Sequence, residues 1–120
     1  MKHLALLITF VATLFAAEAS PLWMRYPAIS PDGKQIAFTY KGSIYVVPAE
    51  GGQAHRISPM AGYNYAPVWS PDSKTIAFAN DRYGNFDVFT VSAEGGTPKR
   101  ITTNSAKEEP YAFSNDGSSI

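Results

Sequence analysis

The phrase Ser30-Pro31-Asp32-Gly33-Lys34-Gln35-Ile36-Ala37-Phe38 returns as Ser70-Pro71-Asp72-Ser73-Lys74-Thr75-Ile76-Ala77-Phe78 and begins again at Ser114-Asn115-Asp116-Gly117. The first two copies stand 40 residues apart and the second and third 44. A second marker keeps step with the first. Ala49-Glu50-Gly51-Gly52 recurs unchanged as Ala93-Glu94-Gly95-Gly96, and Arg56-Ile57-Ser58 is answered by Arg100-Ile101-Thr102. The third copy reaches Ile120, where the earlier ones continue into Ala-Phe.

Two phrases repeating in register over about 40 to 45 residues, with short apolar runs between turn residues, are the signature of a β-propeller blade. Helical repeats of that length need apolar stripes at helical spacing, and none occurs after residue 19. The expected fold is all-β, a β-propeller fragment with two complete four-stranded blades and the start of a third. The blades are expected at about 26–58, 65–102 and 110–120. Rings close with about four to eight blades, so the chain is expected to be part of a longer protein; association of two short chains is the alternative.

Compartment is read from the N-terminus. Lys2 and His3 precede an apolar run from Leu4 to Ala17, and Ala17-Glu18-Ala19 supplies small residues around a cleavage point before Ser20. This arrangement is that of a secretory signal peptide over residues 1–19, leaving 20–120 as the partial propeller. The run of 14 residues is short against the roughly 20 that span a bilayer, although an uncleaved anchor is the other reading. The expected location is periplasmic or extracellular. With no cysteine, the chain has neither disulfides nor thiolate chemistry. Its net charge of zero gives no electrostatic ground for a nucleic-acid partner.

Within each blade the residues suggest their strands. Ala28–Ser30 and Val68–Ser70 come first, followed by Pro-Asp-Gly or Pro-Asp-Ser turns; Gln35–Tyr40 and Thr75–Ala79 follow with alternating bulk. Lys41-Gly42 is a two-residue hairpin turn. Ile44–Val47 lacks polar alternation and is expected to be buried on both faces, as sheets stacked around an axis would be. Short polar outer strands are expected at Ala54–Ile57 and Lys99–Thr102. Pro21–Tyr26 reads as a lead-in, and Trp69 as a core residue, with ligand stacking as its alternative.

If each first strand is innermost, the Pro-Asp-Gly and Glu-Gly-Gly turns share one end of the ring. The variable loops and the crossings 59–65 and 104–109 share the other, where binding usually resides on a rigid scaffold. The candidate binding residues are therefore Tyr63, Asn64, Tyr65, Arg82, Tyr83 and Asn85, which mix aromatic area with hydrogen-bonding groups. No catalytic residue is expected. His55, the one histidine beyond the leader, sits on a predicted outer strand, and there is no Gly-x-Ser-x-Gly elbow. Asp81, Asn85 and Asp87 lack the spacing of a calcium loop, and both Gly-Gly pairs lie in hairpins, so no metal or other cofactor is expected.

The Ser-Pro-Asp-Gly-Lys-x-Ile-Ala-Phe phrase, the Ile-Tyr-Val-Val strand and the Glu-Gly-Gly and Arg-Ile phrases together resemble the TolB-like, WD-related β-propeller repeat. The resemblance covers residues 26–120, departing at Ser73 and Asn115. More narrowly, residues 21–33, Tyr45–Ala49 and the Asp81–Asp87 segment resemble the N-terminal propeller of secreted tricorn-protease homologues. That family implies a PDZ domain and a tail-specific serine protease domain further along, with this module guiding or filtering peptides. Its catalytic residues map onto no position here. A TolB-like resemblance alone implies a protein-binding adaptor or solute-binding propeller without enzymatic activity. Peptide or protein partners, and the remaining blades, are expected in either case.

Overall fold

A computed structural model describes residues 24–120; the expected leader and the first part of the lead-in lie outside the described residues. Eight strands are described: β1 (Met24–Ile29), β2 (Gln35–Tyr40), β3 (Ser43–Pro48), β4 (His55–Arg56), β5 (Asn64–Trp69), β6 (Thr75–Asn80), β7 (Asp87–Ser92) and β8 (Lys99–Arg100). They form two antiparallel meanders, β1-β2-β3-β4 and β5-β6-β7-β8. Both blades are thus complete, each from consecutive residues. Among the described residues no helix is long and apolar enough to cross a membrane.

The repeated phrase specifies the inner hairpin through one hydrogen-bond pattern. In the first copy the Ser30 hydroxyl donates to Asp32 Oδ1 at 2.6 Å, the Lys34 amide donates to the same oxygen, and the Gln35 amide donates to Ser30 Oγ. The second copy repeats it with Ser70, Asp72, Lys74 and Thr75, and the third with Ser114, Asp116, Ser118 and Ser119. Serine and aspartate therefore satisfy turn amides that no strand could reach. Gly33 and Gly117 take φ of 73° and 74° at the third turn position, and Ser73 is held there at 62°.

The first strand of each blade is longer than expected. Tyr26 and Ala66 have φ of 54° and 56°, and the β1–β2 and β5–β6 registers shift between Arg25 and Ala28 and between Tyr65 and Val68. Each is a bulge immediately before a proline, Pro27 or Pro67, which has no amide to give to the ladder. Pairing resumes beyond the bulge, so the end of the lead-in belongs to β1, while Asn64 and Tyr65, expected in a crossing, belong to β5. The outer strands are two residues each, shorter than expected.

The two sheets stack face to face through one core, formed by Ala37, Ile44, Val46 and Ile57 from the first blade and Trp69, Ile76, Phe78, Phe89, Val91 and Ala93 from the second. Side-chain alternation gives the stack a direction. Bulky Ile76 and Phe78 face the first blade, which answers with small Ala37 and Thr39, while Ala77 and Ala79 point the opposite way. Trp69 is core, and its Nε1 donates to the Ala28 carbonyl across the blade boundary at 2.8 Å. Burial of such side chains contributes roughly 1.5–3 kcal/mol each.

One expectation is corrected at β3. Ile44 and Val46 are buried, but Tyr45 and Val47 are only half-buried, because no described strand packs on that side of the first blade. Phe38 escapes exposure there by stacking under Tyr45 at 5.8 Å.

Candidate binding face

The Lys41-Gly42 turn, the 81–86 loop and the blade-to-blade crossings lie together at one end of the stack. The turn closes β2 to β3 with positive φ at both residues, 47° and 74°, the combination that matches the twist of paired strands. A Cβ on Gly42 would stand 2.9 Å from Tyr63 Cδ2, so the absence of a side chain seats the tyrosine ring against the turn.

The six sequence-derived residues divide by role. Asn64 is fully buried and acts as a clasp between blades. Its backbone N–H and its Nδ2 both donate to the Gly42 carbonyl, at 2.9 and 2.8 Å, and its Oδ1 accepts from Asn80 Nδ2 at 2.9 Å. Asn80 Nδ2 also donates to the Ala61 carbonyl, and its Oδ1 accepts the Arg82 amide. These bonds leave neither asparagine free for a ligand.

Tyr65 is 6% exposed and its hydroxyl donates to Glu109 Oε2 at 2.6 Å, while the Tyr111 hydroxyl donates to Oε1 at 3.1 Å. Burial, and then the bond to Glu109, push the Tyr65 phenol well above its ordinary range; the same two tyrosines hold the Glu109 carboxyl below its own. Phe86 meets the Tyr65 ring edge-on at 4.9 Å, with Tyr26 and Tyr63 within 5.5 and 6.1 Å and the Lys107 ammonium over it.

Tyr63 and Tyr83 are the exposed aromatics, at 42% and 56%. Tyr83 is held flat by the Arg100 guanidinium, 4.3 Å from its centroid, with Arg82 also over the ring and Phe89 stacked beyond. Arg100 is fixed in turn by Asp87, through Nε and Nη2 to Oδ2 at 3.1 and 2.7 Å. Asn85 donates to the Asn104 and Ala106 carbonyls and so ties the loop to the following crossing. Asp81 Oδ1 accepts the Tyr63 amide. Asp81 and Asn85 thus bond protein partners, as does Asp87 through Oδ2, while Asp87 Oδ1 is buried without a partner, and His55 is exposed on β4.

Two concavities follow from this arrangement. One, of about 380 Å³, is lined by residues 26–28, 66–68 and 109–111, the inner-strand bulges of two blades and the corresponding stretch of the third. The other, of about 430 Å³, lies between the blades and is lined by Arg25, Thr39, Lys41, Gly42 and Tyr63. Glu109 and Arg25 escaped the sequence reading, though a signal existed: Arg25, Tyr65 and Glu109 each stand five residues before the serine of a repeat.

Four-stranded meanders recurring every 40 to 44 residues, stacked face to face with their inner strands side by side, define a β-propeller. The chain belongs to the tricorn protease N-terminal β-propeller domain family, whose model matches residues 21–120. It is 34% identical over 84 residues to tricorn protease homolog 1 of Streptomyces coelicolor, an alignment covering 70% of this chain and 8% of that protein. Among solved structures it is similar to TolB from Acinetobacter baumannii, with TM-score 0.66, 28% identity, and 78% of this chain and 24% of that one covered. The tricorn protease itself shares the fold at TM-score 0.59 and 24% identity, with 69% of this chain and 8% of that one covered. The chain therefore spans a small part of the length of the relatives it matches.

Proposed function

We propose that this propeller is a non-catalytic module of an exported tricorn-like serine protease, guiding or filtering peptides toward an active site elsewhere in the full-length protein. Membership of the tricorn N-terminal propeller family supports the setting. The observation that carries the guiding role is the concavity along the inner strands β1 and β5 and the 109–111 segment beside them, where Tyr26, Pro27, Pro67 and Tyr111 offer apolar and aromatic contact and Glu109 a charge. Aromatic surface with a few fixed polar groups suits an extended peptide. Of the six candidate residues, Tyr63, Arg82 and Tyr83 remain as surface contacts. Asn64, Tyr65 and Asn85 serve by holding that surface in place.

The test is cleavage of a graded set of peptides by the full-length protein and by its Tyr111→Ala, Tyr63→Ala and Tyr83→Ala variants, the first in the concavity and the others on the neighbouring surface. A guiding propeller predicts altered length preference or a raised KM with kcat retained; unchanged kinetics for all three variants would remove the role. A second reading is a TolB-like protein-binding adaptor without an enzyme, favoured by the higher TM-score to TolB than to the tricorn protease. The coding sequence beyond Ile120 discriminates, since only the first reading requires a protease domain there.

A further inference from the structure

The concavity along β1, β5 and the 109–111 segment is one-sided in its chemistry. Tyr26, Pro27, Pro67, Pro110 and Tyr111 form much of its wall, and its single charged group is the Glu109 carboxylate. No lining residue is a cation, and among the described residues Glu109 is in no ion pair, whereas Asp87 has Arg100. The Lys107 ammonium lies over the Tyr65 and Phe86 rings, 5.7 and 5.8 Å from their centroids, and does not pair with the carboxylate. The three prolines contribute no backbone N–H. The Tyr65 and Tyr111 hydroxyls each donate to one oxygen of Glu109, so they too are spent as donors. These two bonds keep the carboxylate ionised and fix its orientation, with about half of its acceptor capacity unused.

A ligand for such a place must bring donors and positive charge. Charge-assisted N–H bonds to a carboxylate are among the strong ones, and tyrosine faces attract a cation through the ring quadrupole. Tyr26 and Tyr111 are 49% and 83% exposed, so both offer ring surface beside the carboxylate. From this we infer that the concavity walled by Tyr26 and Tyr111 binds a positively charged nitrogen of a peptide ligand through Glu109. The inference rests on the peptide-guiding reading and adds the charge that the propeller selects. Tyr65 is a positioning residue: it is buried, its hydroxyl holds Glu109 Oε2 at 2.6 Å, and its ring packs against Tyr26 at 5.5 Å. The nitrogen has two possible sources, a peptide N-terminus or a basic side chain.

Three pentapeptides of one neutral sequence, all amidated at the C-terminus, separate the sources: acetylated, free at the N-terminus, and acetylated with a central lysine. Their binding to the full-length protein is measured by calorimetry at low and at raised salt, with Glu109→Gln and Tyr65→Phe as variants and thermal melts to confirm folding. At least one charged peptide is expected to bind about five- to tenfold more tightly than the neutral one, and the peptide that does so identifies the source. The preference should shrink as salt screens a carboxylate that is only half-buried. Glu109→Gln should erase it and leave neutral-peptide binding unchanged; Tyr65→Phe should reduce it, because the carboxylate loses the bond that orients it. Equal binding of all three peptides by the unaltered protein would overturn the cation site and leave peptide guiding standing. No binding of any of them would overturn both. A preference that survives Glu109→Gln, or one that salt does not touch, would also overturn the site by placing the selectivity elsewhere.

Discussion

Ala66 and Ser73 are both L-residues held at positive φ, 56° and 62°, yet their surroundings differ. Ala66 is bent by its bulge and makes no side-chain hydrogen bond, so Ala66→Gly is expected to raise stability by up to about 1 kcal/mol. Ser73 has the same backbone strain, but its hydroxyl accepts the Asp32 amide from the neighbouring blade at 3.1 Å. Ser73→Gly should therefore gain less than Ala66→Gly in denaturant titrations of the full-length protein. A larger gain at Ser73 would mean that the Asp32 bond contributes nothing. The turn aspartates set an acid limit. Their serine hydroxyls, then the following amides, hold Asp32 and Asp72 below the ordinary 3.8, and Asp116 at about 2. A depressed folded-state pKa stabilises above the unfolded value and is lost as pH falls through the folded one. Stability is thus expected to fall between about pH 4 and pH 2, and less steeply in Asp72→Asn, which pH-dependent melts would detect.

Between elements, the apolar core that joins the two blades is supplemented by a few specific polar contacts. Trp69→Phe keeps a large ring but leaves the Ala28 carbonyl without its donor, at an expected loss of roughly 1–2 kcal/mol. Asn64→Leu should lose more, about 2–4 kcal/mol, because the Gly42 carbonyl and Asn80 both surrender a partner in the interior. Urea unfolding of the full-length protein measures both, and Asn64→Leu proving the milder change would contradict the clasp. The inner hairpins were legible in the sequence because their signals are local: the serine–aspartate turn and the alternation of Ile36, Ala37 and Phe38 need no neighbour to be read. The start of β1 and β5 was not. Pro27 and Pro67 read as strand ends, and only the partner strand shows that the ladder passes them by bulging. The candidate face was legible in location but less so in role. Asn64 and Tyr65 looked like loop polar groups, and their burial depends on contacts to Gly42 and Glu109 made across a blade boundary.

At the scale of the molecule, the first blade has one covered flank and one open one, with Ile36, Tyr45 and Val47 half-buried on the open side. A piece cut to residues 20–120 is expected to bind a hydrophobic dye and self-associate in sedimentation, whereas the full-length protein does neither, since sheets of a ring shield one another. A monomeric, dye-silent piece would show that the flank is satisfied without neighbours. The alternation that places Ile76 and Phe78 against Ala37 and Thr39 reaches further still. Each wedge has a convex front and a hollow back, so like surfaces repel by shape and unlike ones nest. Copies of such a wedge meet only head to tail, a handed arrangement that a two-fold axis cannot generate and that rotation about a single axis brings to closure.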